Sequence, residues 1–298
     1  VTLYGRAALA VVLGVVLLSP DGLVIRTLDL DAETVLFLRG ACTALGFLAL
    51  IGITTGGVDL ASLRTRQGLA IAGLATVGNV SFVLSIRGAG AAVALAIIAA
   101  GPMFAAILSR LLIGEIAPRR TSIAAVVVLA GVAVIVLTQP RGEQLGGAIA
   151  ALCGSLAVAT LLVIVRQAHG INVLACQAGG AILLALVALP LAHLGAASGP
   201  DIGLAIAFFG IFLPVALALI LSGPRYLSAP EVSLLTLIET VLGPVWVWLA
   251  LGERPPVQTA LAGAVIVVTL FIHGLLGRRA IAAGRVSRSR AQASAANP

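Results

Sequence analysis

Ten mostly apolar stretches of about twenty residues each follow one another along this chain. They lie near 5–26, 34–53, 68–86, 88–112, 121–138, 145–167, 171–193, 202–223, 226–251 and 256–276. A helix rises about 1.5 Å per residue, so about twenty residues cross a bilayer's hydrocarbon core of about 30 Å. Inside that core every backbone polar group must bond within its own segment, which leaves helices for runs of this length. The chain is therefore expected to be an all-α membrane protein with ten transmembrane helices. Composition agrees: 60% of the 298 residues are apolar and 10% charged, against about 25% charged in soluble domains. Arg6 followed by an apolar run to Leu18 has the look of a signal peptide. The run ends in Ser19-Pro20-Asp21-Gly22 rather than a small-x-small cleavage site, so it reads as the first span.

The charged residues set the orientation. The net charge is +7, all 18 basic residues are Arg, and none lies on a face interleaved with aromatics, which excludes nucleic acid as a partner. With the N-terminus in the cytoplasm, the inner segments hold Arg6, Arg64, Arg66, Arg110, Arg119, Arg120, Arg166, Arg225, Arg278, Arg279, Arg285, Arg288 and Arg290. The outer loops hold only Arg26, Arg87, Arg141 and Arg254. Cytoplasmic loops carry the excess of basic residues, so both termini are expected in the cytoplasm and the protein in a bacterial inner membrane. Residues 277–298, rich in Arg, Ala and Ser, are expected to form a disordered basic cytoplasmic tail.

An internal repeat organises the rest. Gly114-Glu115-Ile116-Ala117-Pro118 recurs as Gly252-Glu253-Arg254-Pro255-Pro256, and Gly68-Leu69-Ala70-Ile71-Ala72 recurs as Gly203-Leu204-Ala205-Ile206-Ala207. Gly40-Ala41 matches Gly180-Ala181 at a similar offset. The collinearity implies two repeats, 1–140 and 141–276. Each holds five spans, an odd number, so the second is inverted relative to the first. Inverted repeats are the architecture of alternating-access transporters, with the substrate near the midplane at the repeat interface.

The Gly-Glu pair, the short Pro-containing turn and the Gly-rich closing helix resemble the drug/metabolite transporter superfamily, EamA type, over about residues 5–276. Within it the chain is similar to bacterial amino-acid exporters, the YddG-like aromatic exporters among them. The resemblance implies ten helices, a five-plus-five inverted repeat and export of small metabolites. One departure stands out. Such proteins often carry Glu-Pro in the ninth helix, whereas here Glu239 is followed by Thr240 and Pro244 comes later.

Polar groups inside a membrane are costly and are paired or functional. Glu239 lies about 20 Å along the ninth span, near the membrane centre. It couples transport to protons or holds a substrate amine, or else it is a structural carboxylate satisfied by helix-break backbone or water. Asp21 and Arg39 reach similar depth from opposite directions, which suggests an ion pair, either structural or part of an outer gate. Pro20 and Gly22 predict a helix break beside them, and with Pro102 and Pro244 they are candidate hinges. Ser19, Asn79, Ser81, Phe82, Ile98, Thr160, Pro214 and Thr236 come to comparable depth, and together with Glu239 they could line an apolar cavity with a few hydrogen-bonding groups. Taken singly, each Ser, Thr or Asn also fits a packing residue bonded to its own or a neighbouring helix. Glu231, after Pro230, suits a helix start. Trp246, Trp248, Tyr4 and Tyr226 suit the membrane interfaces, and Cys42, Cys153 and Cys176 suit packing.

Catalytic and metal patterns fail. His169, His193 and His273 are scattered, the three cysteines match no zinc spacing, and no Walker A sequence is present. The expectation is a secondary transporter, not an enzyme, with no cofactor and no metal. Its partners would be a small-molecule substrate and membrane lipid, its state a monomer or homodimer, and its cargo neutral or aromatic amino acids. A multidrug or nucleobase exporter is the rival within transport. A lipid scramblase or intramembrane enzyme is the rival class.

Overall fold

The computed structural model describes residues 3–55, 61–114 and 142–252 continuously, with scattered helical positions in 127–134 and 257–272. The described residues are helical and contain eight helical segments long and apolar enough to cross a membrane: Leu3–Thr27, Ala32–Thr54, Arg66–Ala89, Ala91–Ile113, Gln144–Gln167, Val173–Leu191, Gly199–Arg225 and Ala229–Leu251. They correspond to expected spans one to four and six to nine. Apart from those scattered positions, the expected fifth and tenth spans lie outside the described residues, as does the tail 277–298.

Three spans are broken, and each break has a local cause. The first is α1, Leu3–Leu18, followed after Ser19-Pro20 by α2, Asp21–Thr27. Pro20 has no N–H to donate to the Val16 carbonyl, and the helix breaks there. The Ser19 hydroxyl takes up the slack, donating to the Val16 carbonyl (2.8 Å) and accepting from Trp246 Nε1 (3.0 Å). The second span is unbroken as α3, Ala32–Thr55. The third is α4, Arg66–Ala89, started by the Thr65 side chain accepting from the Gly68 N–H. Near its far end Arg87 donates to the Leu30 and Leu28 carbonyls (2.7 and 2.9 Å), tying α4 to the α2–α3 link.

The fourth span is α5, Ala91–Ile98, and α6, Gly101–Ile113, with Pro102 in the first turn of the second piece. Pro fits that position because the N–H it lacks would be unbonded there anyway. The sixth and seventh spans are built on α7, Glu143–Gln167, and α8, Val173–Ala188. The eighth runs as α9, Gly199–Ala207, a π-helical turn Phe208–Phe212, and α10, Leu213–Ser222. The ninth is α11, Ala229–Leu251, which continues past Pro244. Glu231 closes its start as half of a capping box with Ser228.

Small residues let the helices meet backbone to backbone, the usual way spans pack where lipid removes any hydrophobic drive. A Cβ on Gly40 of α3 would sit 2.6 Å from the Ala185 N of α8, and one on Gly180 of α8 would sit 2.6 Å from the Ala72 carbonyl of α4. Gly46 of α3 lies against the Gly210 carbonyl and Pro214. α3 and α8, which carry the matched Gly-Ala pairs of the two repeats, thus pack directly on each other.

Candidate functional site

A cavity lies between the two halves of the described chain. Its walls come from α1, α2, α3, α4 and α5 on one side and α7, α8, α10 and α11 on the other. It offers about 160 Å³ of room for water-sized atoms. That is well above the roughly 10–15 Å³ needed for a single water, so a small solute fits. Most of the wall is apolar: Leu18, Phe82, Ile98, Val158, Leu161, Leu162, Leu217 and Ile220. The polar groups are Asp21, Arg39, Asn79, Gln177, Thr236 and Glu239.

Asp21 and Arg39 are 1% and 4% exposed and form a two-pronged pair: Arg39 Nη1 donates to Asp21 Oδ1 at 2.6 Å and Nη2 to Oδ2 at 2.8 Å. The helix break makes this geometry possible, because Asp21 is the first residue of α2 and reaches α3 across it. Arg39 is held elsewhere too. Its Nε donates to Asn79 Oδ1 (2.7 Å), and its guanidinium lies over the Phe82 and Phe209 rings, 5.5 and 5.2 Å from their centroids. Asn79 is in turn anchored by its Nδ2 donating to the Ala75 carbonyl (2.8 Å).

Phe209 reaches Arg39 from the π-helical turn. There the Leu213 N–H goes to the Phe208 carbonyl, one residue beyond the α pattern, and Pro214 has no N–H to offer. The Phe209 carbonyl is therefore left over, and the Thr43 hydroxyl of α3 donates to it (3.0 Å). Such π turns concentrate at functional sites.

Glu239 stands ten residues into α11, about 15 Å from its start and so near mid-membrane. It lines the cavity within electrostatic reach of Asp21 and Arg39. Its carboxylate makes no hydrogen bond to another described residue. Thr236, one turn before it, donates to the Ser233 carbonyl (2.8 Å) and lines the same wall.

The sequence-derived candidates divide. Asn79, Phe82, Ile98, Thr236 and Glu239 line the cavity, as do Asp21 and Arg39. Ser19, Ser81, Thr160 and Pro214 do not. Ser19 is buried at the break against Trp246, Ser81 faces Gly154 of α7, Thr160 is bonded to the Leu156 carbonyl (2.7 Å), and Pro214 packs against Gly46. Each has the right depth but the wrong azimuth around its helix. Of the hinge candidates, Pro20, Gly22 and Pro102 sit at helix breaks, whereas Pro244 lies within a continuous helix. Trp246 uses its indole N–H inward instead of serving only an interfacial belt. Cys153 is exposed, so it is not an interior packing residue, while Cys176 is buried and Cys42 half-buried. Gln177, a lining residue, escaped the depth argument because it lies only four residues from the start of α8. The signal was present all the same: it is the one amide in an apolar run.

Two segments, 5–137 and 145–275, match the model of the EamA-like transporter family. The chain belongs to the EamA-like transporter family. The double match agrees with a two-repeat membrane transporter, the coarse reading that the sequence suggested. No curated protein matches. A solved structure described only as the crystal structure of a protein superposes with a TM-score of 0.66, covering 91% of this chain and 98% of that one at 20% identity. At that identity the likeness is one of fold. As a family member this protein is a multi-pass membrane transporter, and its cavity lies where substrate would be expected in a two-repeat transporter.

Proposed function

We propose that this protein exports small organic metabolites, neutral or aromatic amino acids above all, from the bacterial cytoplasm by alternating access of two inverted repeats. The carrying observation is the charge pattern of the cavity. Arg39 is spent on Asp21 and Asn79, and an otherwise apolar wall retains one carboxylate, Glu239, with no hydrogen-bond partner among the described residues. Such a wall suits an apolar body carrying an amine and offers no loose cation for a sugar phosphate.

The orientation expected from the arginines adds a direction. The cavity runs from the Asp21–Arg39 pair toward Gln177 near the start of α8 and Leu221 at the end of α10. With the N-terminus inside, that end lies toward the cytoplasm and the Asp21–Arg39 pair toward the outer side. Opening outward then requires the breaks at Pro20 and Pro102 to flex. Glu239 exchanges its proton for, or with, the substrate amine.

The test is counterflow in proteoliposomes with a panel of labelled solutes: phenylalanine, leucine, a nucleobase, a sugar phosphate and a cationic dye. Saturable counterflow of the amino acids, without the sugar phosphate, is expected. Movement of the dye or nucleobase alone, or a covalent product from lipid, would replace this reading with one of its rivals.

A further inference from the structure

We propose that Gln177 recognises the carboxylate end of the substrate and so decides between an amino acid and the corresponding amine; this rests on the transport reading above. The side chain is 5% exposed, lines the cavity from α8, and makes no hydrogen bond to any described residue. Its amide atoms are not sealed off but open onto the cavity, where water or a solute must supply the partner that side-chain amides nearly always have. An amide facing an otherwise apolar wall is accounted for if the partner arrives with the substrate.

The other polar groups of the cavity are committed. Arg39 donates to Asp21 and Asn79. Asn79 both accepts from Arg39 and donates to the Ala75 carbonyl. The Thr236 hydroxyl proton goes to the Ser233 carbonyl. What remains is an acceptor, Glu239 on α11, and a donor, the Gln177 amide nitrogen on α8. These two complement an ammonium and a carboxylate on one small solute. The committed Arg39 also explains selectivity. With no free cation, the site takes a carboxylate only when an ammonium travels with it, and Gln177 supplies the donors that the carboxylate then needs. Both helices belong to the second half of the chain, so the headgroup would stay with one rigid half while the apolar wall of the other half moves past the substrate.

The test compares wild type, Gln177→Leu and Gln177→Glu in proteoliposomes, using counterflow of labelled phenylalanine and of labelled phenethylamine, its analogue without the carboxylate. Melting in detergent is measured for all three. Leu has nearly the same volume and replaces an amide that bonds no described residue, so it should melt close to wild type. The phenylalanine-to-phenethylamine ratio should fall tenfold or more in Gln177→Leu, and further in Gln177→Glu, where a carboxylate would face the substrate's own. A hydrogen bond to a charged group is worth at least that factor. If wild type carries phenylalanine and both variants keep its ratio, Gln177 is not the carboxylate site and the proposal is wrong. If wild type carries neither compound, the transport reading itself has failed and the inference falls with it.

Discussion

Changing Asp21 to Asn removes one charge from the best-defined interaction in the protein and leaves its shape almost intact. Arg39 is then a cation that is 4% exposed and cannot leave. Asn79 holds its Nε, and its guanidinium lies over the Phe82 and Phe209 rings. Two routes give the size of the penalty. Unit charges about 4 Å apart, at the effective dielectric of about 20 suited to protein sites, interact by about 4 kcal/mol. Breaking buried pairs by removing one partner costs about 3–5 kcal/mol in general. Nearby Glu239 offsets part of this, since it lies within reach of Arg39. We therefore expect Asp21→Asn to lower the melting temperature in detergent by on the order of 10 °C. The paired change Asp21→Asn with Arg39→Gln should recover much of that loss, because no bare charge remains and both amides can hydrogen-bond. A thermal-unfolding double-mutant cycle reads the coupling directly. If Asp21→Asn melts with wild type, or if the two single losses simply add, the pair does not act as a unit and the reasoning fails.

Further outcomes are expected. Glu239→Gln keeps the shape but cannot titrate, so it should still exchange labelled substrate while losing accumulation driven by a pH gradient; accumulation equal to wild type would make Glu239 structural. Asp31, in the link between α2 and α3, is shifted upward by burial, but the Thr34 side chain, the Thr34 N–H (2.6 Å) and His193 (3.0 Å) outweigh this and hold its carboxyl below the usual range. A lowered folded value means stability that is present above the unfolded value near pH 4 and is lost as pH falls further; Asp31→Asn should flatten the acid limb of the stability curve, and an unchanged limb would exclude Asp31 as its source. Gly46→Ala should destabilise, because its Cβ would collide with the Gly210 carbonyl, whereas Gly73→Ala meets nothing within 4 Å among the described residues and should gain up to about 1 kcal/mol of helix stability. Reporter fusions at Glu115 and Glu253 should report opposite sides of the membrane, and the same side for both would end the inverted-repeat reading.

How much of this was legible from residues alone differs by feature. Eight of the ten expected spans were, because burying twenty backbone units in lipid leaves the helix as the only choice. The break at Pro20 was, because proline lacks a donor and Gly22 follows it, whereas Pro244 lacks the same donor and its helix runs on. The Asp21–Arg39 meeting was also within reach: helical rise converts position into depth, and two opposite charges at one depth in a low dielectric strongly favour each other. Ser81, Thr160 and Pro214 show where that stops. Depth says how far along a helix a residue lies, not which way round it points. In a soluble helix the apolar stripe reveals the inward face. Here Leu69 and Val77, exposed among the described residues, and cavity-facing Phe82 and Ile98 are equally apolar, so no stripe exists to read.

The sequence by itself determined a helical, membrane-spanning, twice-repeated chain whose interior charges had to find partners, since the physics of a chain in lipid acts locally along each segment. The tertiary structure decided which side chains share a cavity. The rotation of each helix is set by close contacts between distant segments, such as Gly40 with Ala181 and Ala185, or Gly180 with Ala72. Those contacts exist only once the helices have packed. They are what bring Gln177 of α8 and Glu239 of α11 to one cavity, where neither bonds another described residue.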